Sequence, residues 1–350
     1  MPSVAPPGRP AILVTGSTGM VGLHLLMHLA GQGLQVHALY RREQSRKRAE
    51  NIFRRYAGEE LLKQIRWVQG DVTDIARMEE VVAGKDVIFH TAAKVSFSPA
   101  RKKEVYQTNI KGTEILVNAA LHEGVSYFLH VSSVAALGGA EQPKTEKSVW
   151  TWSIPSTVYA ASKFLSEMEV WRGFEEGLRG AIVNPSVIIS PAFYDRGIGA
   201  LADRLYRRKL KFYTSGGNGF VDVADVVRIM WQLYEQNITG ERFILNAGHL
   251  TFKELLDTLA RYLQVPPPRY KIPEKLLRFL IKFYNPVARL TGGETVDAPM
   301  LRSLYDTDFY DNTKITRLLH YSFIPPEESL RKLADDYLRY AVSGDASKKA

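Results

Sequence analysis

The sequence predicts a doubly wound α/β protein: a parallel sheet covered by helices on both faces, with a smaller, mostly α C-terminal lobe. Three observations carry this expectation. Short apolar runs alternate with helical stretches through the first half of the chain, as in a parallel sheet buried on both faces. A glycine-rich turn, Thr15-Gly16-Ser-Thr-Gly19-Met-Val-Gly22, follows the first of those runs. The length, 350 residues, suits one large core plus a smaller unit at about 100–200 residues per domain.

Taken in order, Ala11-Ile-Leu-Val14 is short and apolar enough for a buried strand. The helical pattern after the glycines runs through Leu23, Leu25, Leu26 and Leu29 and stops at Gly31 and Gly33. A strand, a tight turn and a helix N-terminus make an anion site, because unpaired N–H groups and the helix dipole both point at the ligand. Gly16 permits the turn, Gly19 lets a pyrophosphate approach the backbone, and Gly22 lets helix and strand pack closely. A plain strand-to-helix turn is the other reading; the flanking elements favour a dinucleotide.

Gln35-Val-His-Ala-Leu39 reads as the second strand, and Tyr40-Arg41-Arg42 follows it. An NAD-binding chain usually has Asp or Glu here, about 20 residues past the glycines, to bond the ribose 2′-hydroxyl. Tyr40 stands in that place instead. Arg41 and Arg42 suit a 2′-phosphate, which guanidinium grips in a bidentate way, so NADP(H) is expected ahead of NAD(H). The alternative is that both arginines only open a basic solvated helix, since Arg46, Lys47, Arg48, Arg54 and Arg55 follow.

Further strands are expected at Ile65–Gln69, Val87–Phe89, Tyr127–Val131 and Arg179–Val183, with helices at Ile75–Val82, Arg101–Leu121 and Ser156–Glu176. Arg242-Phe-Ile-Leu-Asn246 reads as a late strand. The cofactor domain is thus assigned to 1–184 and the substrate lobe to 185–350. The lobe draws mainly on 185–218 and 249–310, and about 219–247 returns to the larger domain.

Composition narrows the function classes. The chain has no cysteine, which excludes disulfides, zinc-thiolate sites and thiol nucleophiles; no metal site is expected. Met1 to Pro10 is proline-rich without an apolar signal core, and no apolar run approaches a membrane span. Cytoplasm is the expected location. The net charge of +9 is spread over helices and the tail Ala346–Ala350 without a nucleic-acid motif, so a solvated surface explains it.

Tyr159 and Lys163 stand four residues apart in Ser156-Thr-Val-Tyr-Ala-Ala-Ser-Lys163. A phenol with a pKa near 10 is a poor base at neutral pH. A lysine one helical turn away brings an ammonium to the same face and favours the phenolate. Tyr159 then has the chemistry to give a proton to a carbonyl oxygen or to remove one from a hydroxyl.

With the glycine turn first, Ser133 between and Tyr159–Lys163 after, the chain resembles the extended short-chain dehydrogenase/reductases, the NAD-dependent epimerase/dehydratase superfamily, over nearly its whole length. Gly70-Asp71-Val72 matches the family's segment at the adenine, His90-Thr-Ala-Ala93 the stretch that lines the cofactor, and Asn109 an Asn that supports the active-site architecture. Val131-Ser132-Ser133 matches the catalytic serine segment, Asn184-Pro-Ser-Val-Ile-Ile-Ser-Pro191 the passage toward the substrate region, and Gly219-Phe-Val-Asp-Val-Ala-Asp225 the return. Asp311-Asn-Thr-Lys314 with Leu318-Leu-His-Tyr321 and Pro325 resembles the closing pattern. The resemblance implies a Rossmann domain with catalytic Ser133, Tyr159 and Lys163. Ser133 would stabilise the charge developing on the substrate oxygen, and Lys163 would also hold the nicotinamide ribose. Ser133 is chosen over Ser132 because it stands five residues before Gly138, as in similar chains. Cofactor contacts are implied for Gly16, Thr18, Gly19, Met20, Val21, Gly22, Tyr40, Arg41, Arg42, Asp71, Val72, Thr91, Ala92, Ala93, Tyr159, Lys163, Pro185 and Val187.

Departures from the family's branches guide the substrate. Sugar-nucleotide dehydratases carry Asp-Glu after the catalytic Ser or Thr, whereas Val134-Ala135 stands here. Epimerases often carry an Arg before the Phe-Val pair, whereas this chain has Gly217-Asn-Gly-Phe220. The pattern is nearer to dihydroflavonol 4-reductases and 3β-hydroxysteroid dehydrogenases, which implies an NADP(H)-dependent oxidoreductase interconverting a carbonyl and an alcohol on a fairly apolar or cyclic molecule. An NAD-dependent sugar-nucleotide epimerase is the alternative, and a non-catalytic dinucleotide-binding regulator a third class. Similar proteins dimerise through helices equivalent to Arg101–Leu121 and Ser156–Glu176, so a homodimer is expected, with Leu165, Met168 and Trp171 supplying apolar surface. His90 reads as structural. Lys275-Leu-Leu-Arg-Phe-Leu-Ile-Lys-Phe-Tyr284 mixes apolar residues with cations; a helix of the substrate-covering lobe, packed on its own core or lining the pocket, is expected rather than one on a membrane.

Overall fold

Strand β1 (Ile12–Thr15) sits inside the main sheet because Ile12, Leu13 and Val14 offer apolar side chains to both faces, and all three are fully buried in the computed structural model. The structure describes residues 9–139, 141–291 and 295–342; the first eight residues and the basic tail Ala346–Ala350 lie outside them. After β1 come α1 (Met20–Gly31), β2 (Val36–Tyr40), α2 (Glu43–Ala57), a short α3 (Glu59–Leu62), β3 (Ile65–Gln69), α4 (Ile75–Val82) and β4 (Val87–His90). The helix expected over Arg101–Leu121 is α5 (Lys102–Tyr106) and α6 (Gly112–His122) joined by a π turn at Gln107–Lys111. Then follow β5 (Tyr127–Val131), α7 (Val158–Glu175) and β6 (Gly180–Pro185).

The lobe begins with β7 (Val187–Ile189), α8 (Gly197–Tyr206), β8 (Phe212–Tyr213) and β9 (Gly217–Asp222). After α9 (Val223–Glu235) and β10 (Glu241–Leu245) come β11 (Gly248–Thr251), α10 (Phe252–Tyr262), β12 (Tyr270–Lys271), α11 (Glu274–Leu290), α12 (Ala298–Ser303), α13 (Thr313–Leu319) and α14 (Pro326–Val342). The main sheet is parallel with strand order β10-β6-β5-β4-β1-β2-β3. Its order reverses between β1 and β4, and in open sheets of this kind ligands bind at the carboxyl ends beside such a reversal. Leu25, Leu26 and Leu29 of α1 pack with Ile229 and Met230 of α9 on one face. Met78, Leu116, Val117 and Val170 fill the other.

Within the segment near 219–247, β9 pairs with β7 and β11 in a separate three-stranded sheet while its Val221 is buried in the main core, and α9 and β10 join the main domain fully. That sheet and α8, α10 and α14 enclose the lobe's own core around Phe220, Leu259, Leu333 and Tyr337. The chain crosses back once more. Ile315 of α13 is buried in the main core, the Lys314 ammonium donates to the Arg242 carbonyl at 2.8 Å, and the Tyr321 hydroxyl donates to Asp225 Oδ1 at 2.8 Å.

One helix packs on its own core only in part. The apolar side of α11 is not packed: Leu276, Phe279, Leu280, Phe283 and Val287 are exposed, whereas Ala288 is buried. The helix touches the lobe through the narrower strip of Leu277, Ile281, Asn285 and Ala288, and its apolar arc is wider than that strip. Among the described residues no helix is long and apolar enough to cross a membrane.

Candidate functional site

The glycine turn is shaped by two close approaches. Gly16 has φ +66°, and a Cβ there would sit 2.5 Å from the Ala92 nitrogen. At Gly22 a Cβ would fall 2.4 Å from the Gly16 carbonyl oxygen, so α1 packs on the turn itself as well as on the strand. The Gly19 N–H donates to the Gly16 carbonyl at 2.8 Å, and no side chain caps the helix at Gly19. The first N–H groups of α1 are therefore left for a ligand.

Beside this turn lies a cavity of about 530 Å³. Gly16, Thr18 and Gly19 form one wall, Tyr40, Arg41, Arg42, Asp71 and Val72 another, and Thr91, Ala92 and Ala93 a third. Lys94, Arg48, Arg101 and Arg196 also line it, so cations dominate. Arg41 Nη1 lies 3.4 Å from Asp71 Oδ2, with both side chains partly exposed. The other Asp71 oxygen accepts from the Thr73 N–H at 3.1 Å and its hydroxyl at 2.9 Å. Burial raises the Asp71 pKa, but the Thr73 bonds and Arg41 outweigh it, and the carboxyl titrates below its usual range. Across the mouth, Arg48 bonds both Asp195 oxygens, at 2.7 and 2.9 Å, and ties α2 to the lobe. Tyr40 is half-buried, edge-on to Trp67 with ring centroids 6.1 Å apart.

Met20, Val21, Pro185 and Val187 do not line this cavity, nor do Ser133, Tyr159 and Lys163. Met20 and Val21 open α1, Pro185 ends β6 and Val187 opens β7. The last three of the expected residues gather at the end of β5, one strand over from Thr91. Asn109, in the π turn, joins the two regions. Its Oδ1 accepts from the Lys94 N–H at 2.7 Å, and its Nδ2 donates to the Lys94 carbonyl at 3.0 Å and to Ser162 Oγ at 2.9 Å. Ser162 in turn donates to the Tyr159 carbonyl at 2.7 Å. The helix bearing Tyr159 and Lys163 is thereby fixed against the cavity's edge. Pi turns recur at functional sites.

Ser133 caps a short 3₁₀ turn at Val134–Ala136 by accepting from the Ala135 N–H at 3.2 Å, and its hydroxyl meets the Tyr159 phenol. Ser132 is buried instead, with its hydroxyl unpartnered. Lys163 is buried, and its ammonium donates to the Val131 carbonyl at 2.8 Å and toward His130 Nε2 at 3.4 Å. Burial lowers its pKa to about 8, against a pull upward from Glu167 one turn on. The direction at Tyr159 differs from the expectation. Burial raises its pKa and outweighs the hydrogen bond from Ser133.

His90 is the structural residue expected. The Thr113 hydroxyl donates to the Asn109 carbonyl at 2.5 Å, so it accepts from His90 Nε2, 2.9 Å away. Nδ1 is then the acceptor for Thr15 Oγ1 at 2.7 Å. Burial, with Lys163 nearby, lowers its pKa to about 3, and the ring is neutral.

A second buried network was missed in the sequence. Asn184 Nδ2 donates to the Ser133 carbonyl at 2.9 Å and to Glu167 Oε1 at 2.5 Å. The other Glu167 oxygen pairs with Arg242 Nη1 at 3.2 Å, and Arg242 also holds the Glu146 and Ser148 carbonyls. This network supports the Ser133 backbone and sets a charge beside Lys163. His130 was missed too; a polar residue inside the apolar strand Tyr127–Val131 was its only signal.

Comparison with known proteins bears on the fold and family. The model of the NAD dependent epimerase/dehydratase family matches residues 12–248. Sterol demethylase protein B of Methylococcus capsulatus is 29% identical over 280 residues, 79% of this chain and 82% of that protein. Dihydroflavonol 4-reductase of Arabidopsis thaliana is 23% identical over 280 residues, 76% of this chain and 72% of that protein. Among solved structures, UDP-glucose 4-epimerase of Thermotoga maritima with UDP-glucose superposes with a TM-score of 0.74 at 20% identity, covering 95% of this chain and 99% of that one. That last likeness concerns the fold.

Proposed function

The chain belongs to the NAD dependent epimerase/dehydratase family and is an NAD(P)-dependent oxidoreductase; within that family we propose that it reduces a carbonyl on a fairly apolar or cyclic small molecule with NADPH. The observation that carries this reading is that Ser133, at the end of β5, lies beside α7, which carries Tyr159 and, one helical turn on, Lys163 anchored on the Val131 carbonyl. When bound, the cofactor supplies the hydride. Tyr159 gives its proton to the carbonyl oxygen, and Ser133 donates a hydrogen bond to the charge developing there. Lys163 stands anchored through Val131 and His130, and its remaining N–H would hold the nicotinamide ribose when the cofactor is bound. Gly16, Gly19 and the N-terminus of α1 would hold the pyrophosphate, and Arg41 and Arg42 the 2′-phosphate. The resemblance to sterol demethylase protein B and dihydroflavonol 4-reductase supports an apolar, cyclic substrate.

Cofactor choice tests the reading. Arg41 must exchange its contact with Asp71 for the phosphate, but an exposed pair is worth only about 0–1 kcal/mol. A charge-assisted hydrogen bond contributes about 1.5–3 kcal/mol, so NADPH should bind roughly ten- to hundredfold tighter than NADH. Arg41→Ala with Arg42→Ala should abolish that preference and leave NADH affinity unchanged. A wild-type preference for NADH in titration calorimetry would move the sugar-nucleotide epimerase to first place. Tight binding of NADPH without turnover of any carbonyl would favour the regulatory role.

The homodimer belongs to the same proposal. On α7, Met168 is exposed and Leu165 and Trp171 are half-buried, a surface available to a second copy. Sedimentation at micromolar concentration should give a dimer; a monomer there removes it.

A further inference from the structure

Helix α11 presents an apolar arc that no described residue of its own lobe covers. Leu276, Phe279, Leu280, Phe283, Val287 and Leu290 recur at helical spacing, and Phe283 is 65% exposed and Leu290 89% exposed. A stripe of exposed cations at Lys275, Arg278 and Lys282 runs along one flank of that arc, at spacings of three and four residues. The opposite strip of the helix is fixed to the lobe. Asn285 exchanges two hydrogen bonds with the Val296 backbone, at 2.9 and 3.0 Å, so the arc is presented rather than trailing on a loose arm. The approach to α11 has the same character. Phe212 and Tyr270 are exposed with rings 6.0 Å apart, and Lys211, Arg269 and Lys271 beside them are exposed as well. Among the described residues none of Lys211, Arg269, Lys271, Lys275 and Lys282 is in an ion pair, and Glu274 bonds Arg278 alone.

We propose that α11 docks this protein on an anionic lipid bilayer, lying in the interface with its apolar arc among the acyl chains. A soluble surface rarely exposes so many large apolar residues in one stripe. The flanking cations decide the occupant. Interfacial helices combine a broad apolar face with basic residues that reach the headgroups, and the long lysine and arginine stems here are placed to do so. A second copy of the chain would bring the same unpaired cations against each other at such an interface. The proposal draws on α11 and its approach and on none of Ser133, Tyr159 and Lys163, and it stands whether or not the reductase reading does.

The test is co-sedimentation of the full chain with vesicles of phosphatidylcholine alone and of equal parts phosphatidylcholine and phosphatidylglycerol. Binding is expected to the anionic vesicles and to fall with salt. Each cation near an anionic surface is worth about fivefold, so Lys275→Gln with Lys282→Gln should weaken binding roughly 25-fold. A buried phenylalanine contributes about ten- to hundredfold, so Phe279→Glu with Phe283→Glu should weaken it by at least ~100-fold. Both variants change exposed side chains and should keep the wild-type circular dichroism and cofactor affinity. No binding to either vesicle would overturn the proposal. So would undiminished binding of the Phe279→Glu, Phe283→Glu variant, or a dimer in solution that this variant dissociates while vesicles capture neither protein.

Discussion

Replacing Glu167 by glutamine keeps the shape of the side chain and removes one buried charge. Glu167 is fully buried, and it accepts from Asn184 at 2.5 Å and from Arg242 at 3.2 Å. Breaking a buried ion pair by removing one partner typically costs about 3–5 kcal/mol. Arg242 retains its bonds to the Glu146 and Ser148 carbonyls, and its side chain is 15% exposed. The loss should therefore be about 2–3 kcal/mol, below the usual range. At about 2.1 cal/mol/K per residue the unfolding entropy of this chain is roughly 0.7 kcal/mol/K, so Tm should fall by about 3–4 °C. The same change acts on Lys163. Its pKa of about 8 already lies below the lysine value because burial disfavours the ammonium, and Glu167 holds it up. Charge on Lys163 is lost as pH rises through that value, so the alkaline limb of kcat/KM, which reports the free enzyme, should lie near pH 8 in the wild type. With a charge removed one helical turn away, at an effective dielectric near 20, the limb should move to about pH 7 or below. Differential scanning calorimetry and a pH series of kcat/KM read the two effects separately. A lowered Tm with an unmoved limb would show that Glu167 supports the fold and does not tune Lys163. An unchanged Tm would refute the network argument itself.

Tyr159→Phe removes only the transferable proton, so turnover should drop by about 10²–10⁴-fold while cofactor affinity, measured by fluorescence titration, stays at the wild-type value. Gly16→Ala should weaken cofactor binding by more than about tenfold and lower Tm, because the left-handed φ costs about 1–2 kcal/mol and the added carbon meets the Ala92 backbone at 2.5 Å. Gly33→Ala is its control: φ is +73° but nothing lies within 4 Å, so stability should fall and the cofactor Kd should not move.

Much of this molecule was legible in its residues. The strands of the main sheet announce themselves as apolar runs, and the glycine turn needs no partner from elsewhere to be recognised. Tyr159 and Lys163 share a helix, so spacing alone brings them to one face. What escaped lies in relations that spacing does not encode. Glu167, Asn184 and Arg242 meet across separations of 17 and 75 residues. The π turn around Asn109 has no residue pattern of its own, since its extra residue is accommodated by packing against α7. The direction of the Tyr159 pKa depends on how deeply the phenol is enclosed, and a neighbouring lysine on paper does not report that. For α11 the periodicity gave an apolar arc correctly, but it could not tell how much of that arc the lobe would cover.

The late crossing of α13 back onto the main sheet bears on how this protein can be re-engineered. Exchanging lobes between relatives is an attractive way to change what such an enzyme accepts, and a cut at the end of the family match, near Gly248, looks natural from alignment. Here that cut would discard Ile315 from the main core, Lys314 from the Arg242 carbonyl and Tyr321 from Asp225. A transplanted lobe must arrive with its own version of these contacts or keep residues 311–325 of the host. The lobe is therefore three separate stretches, one before α9 and one on either side of that clamp, and a chimera made with a single crossover should unfold where the sheet meets α13.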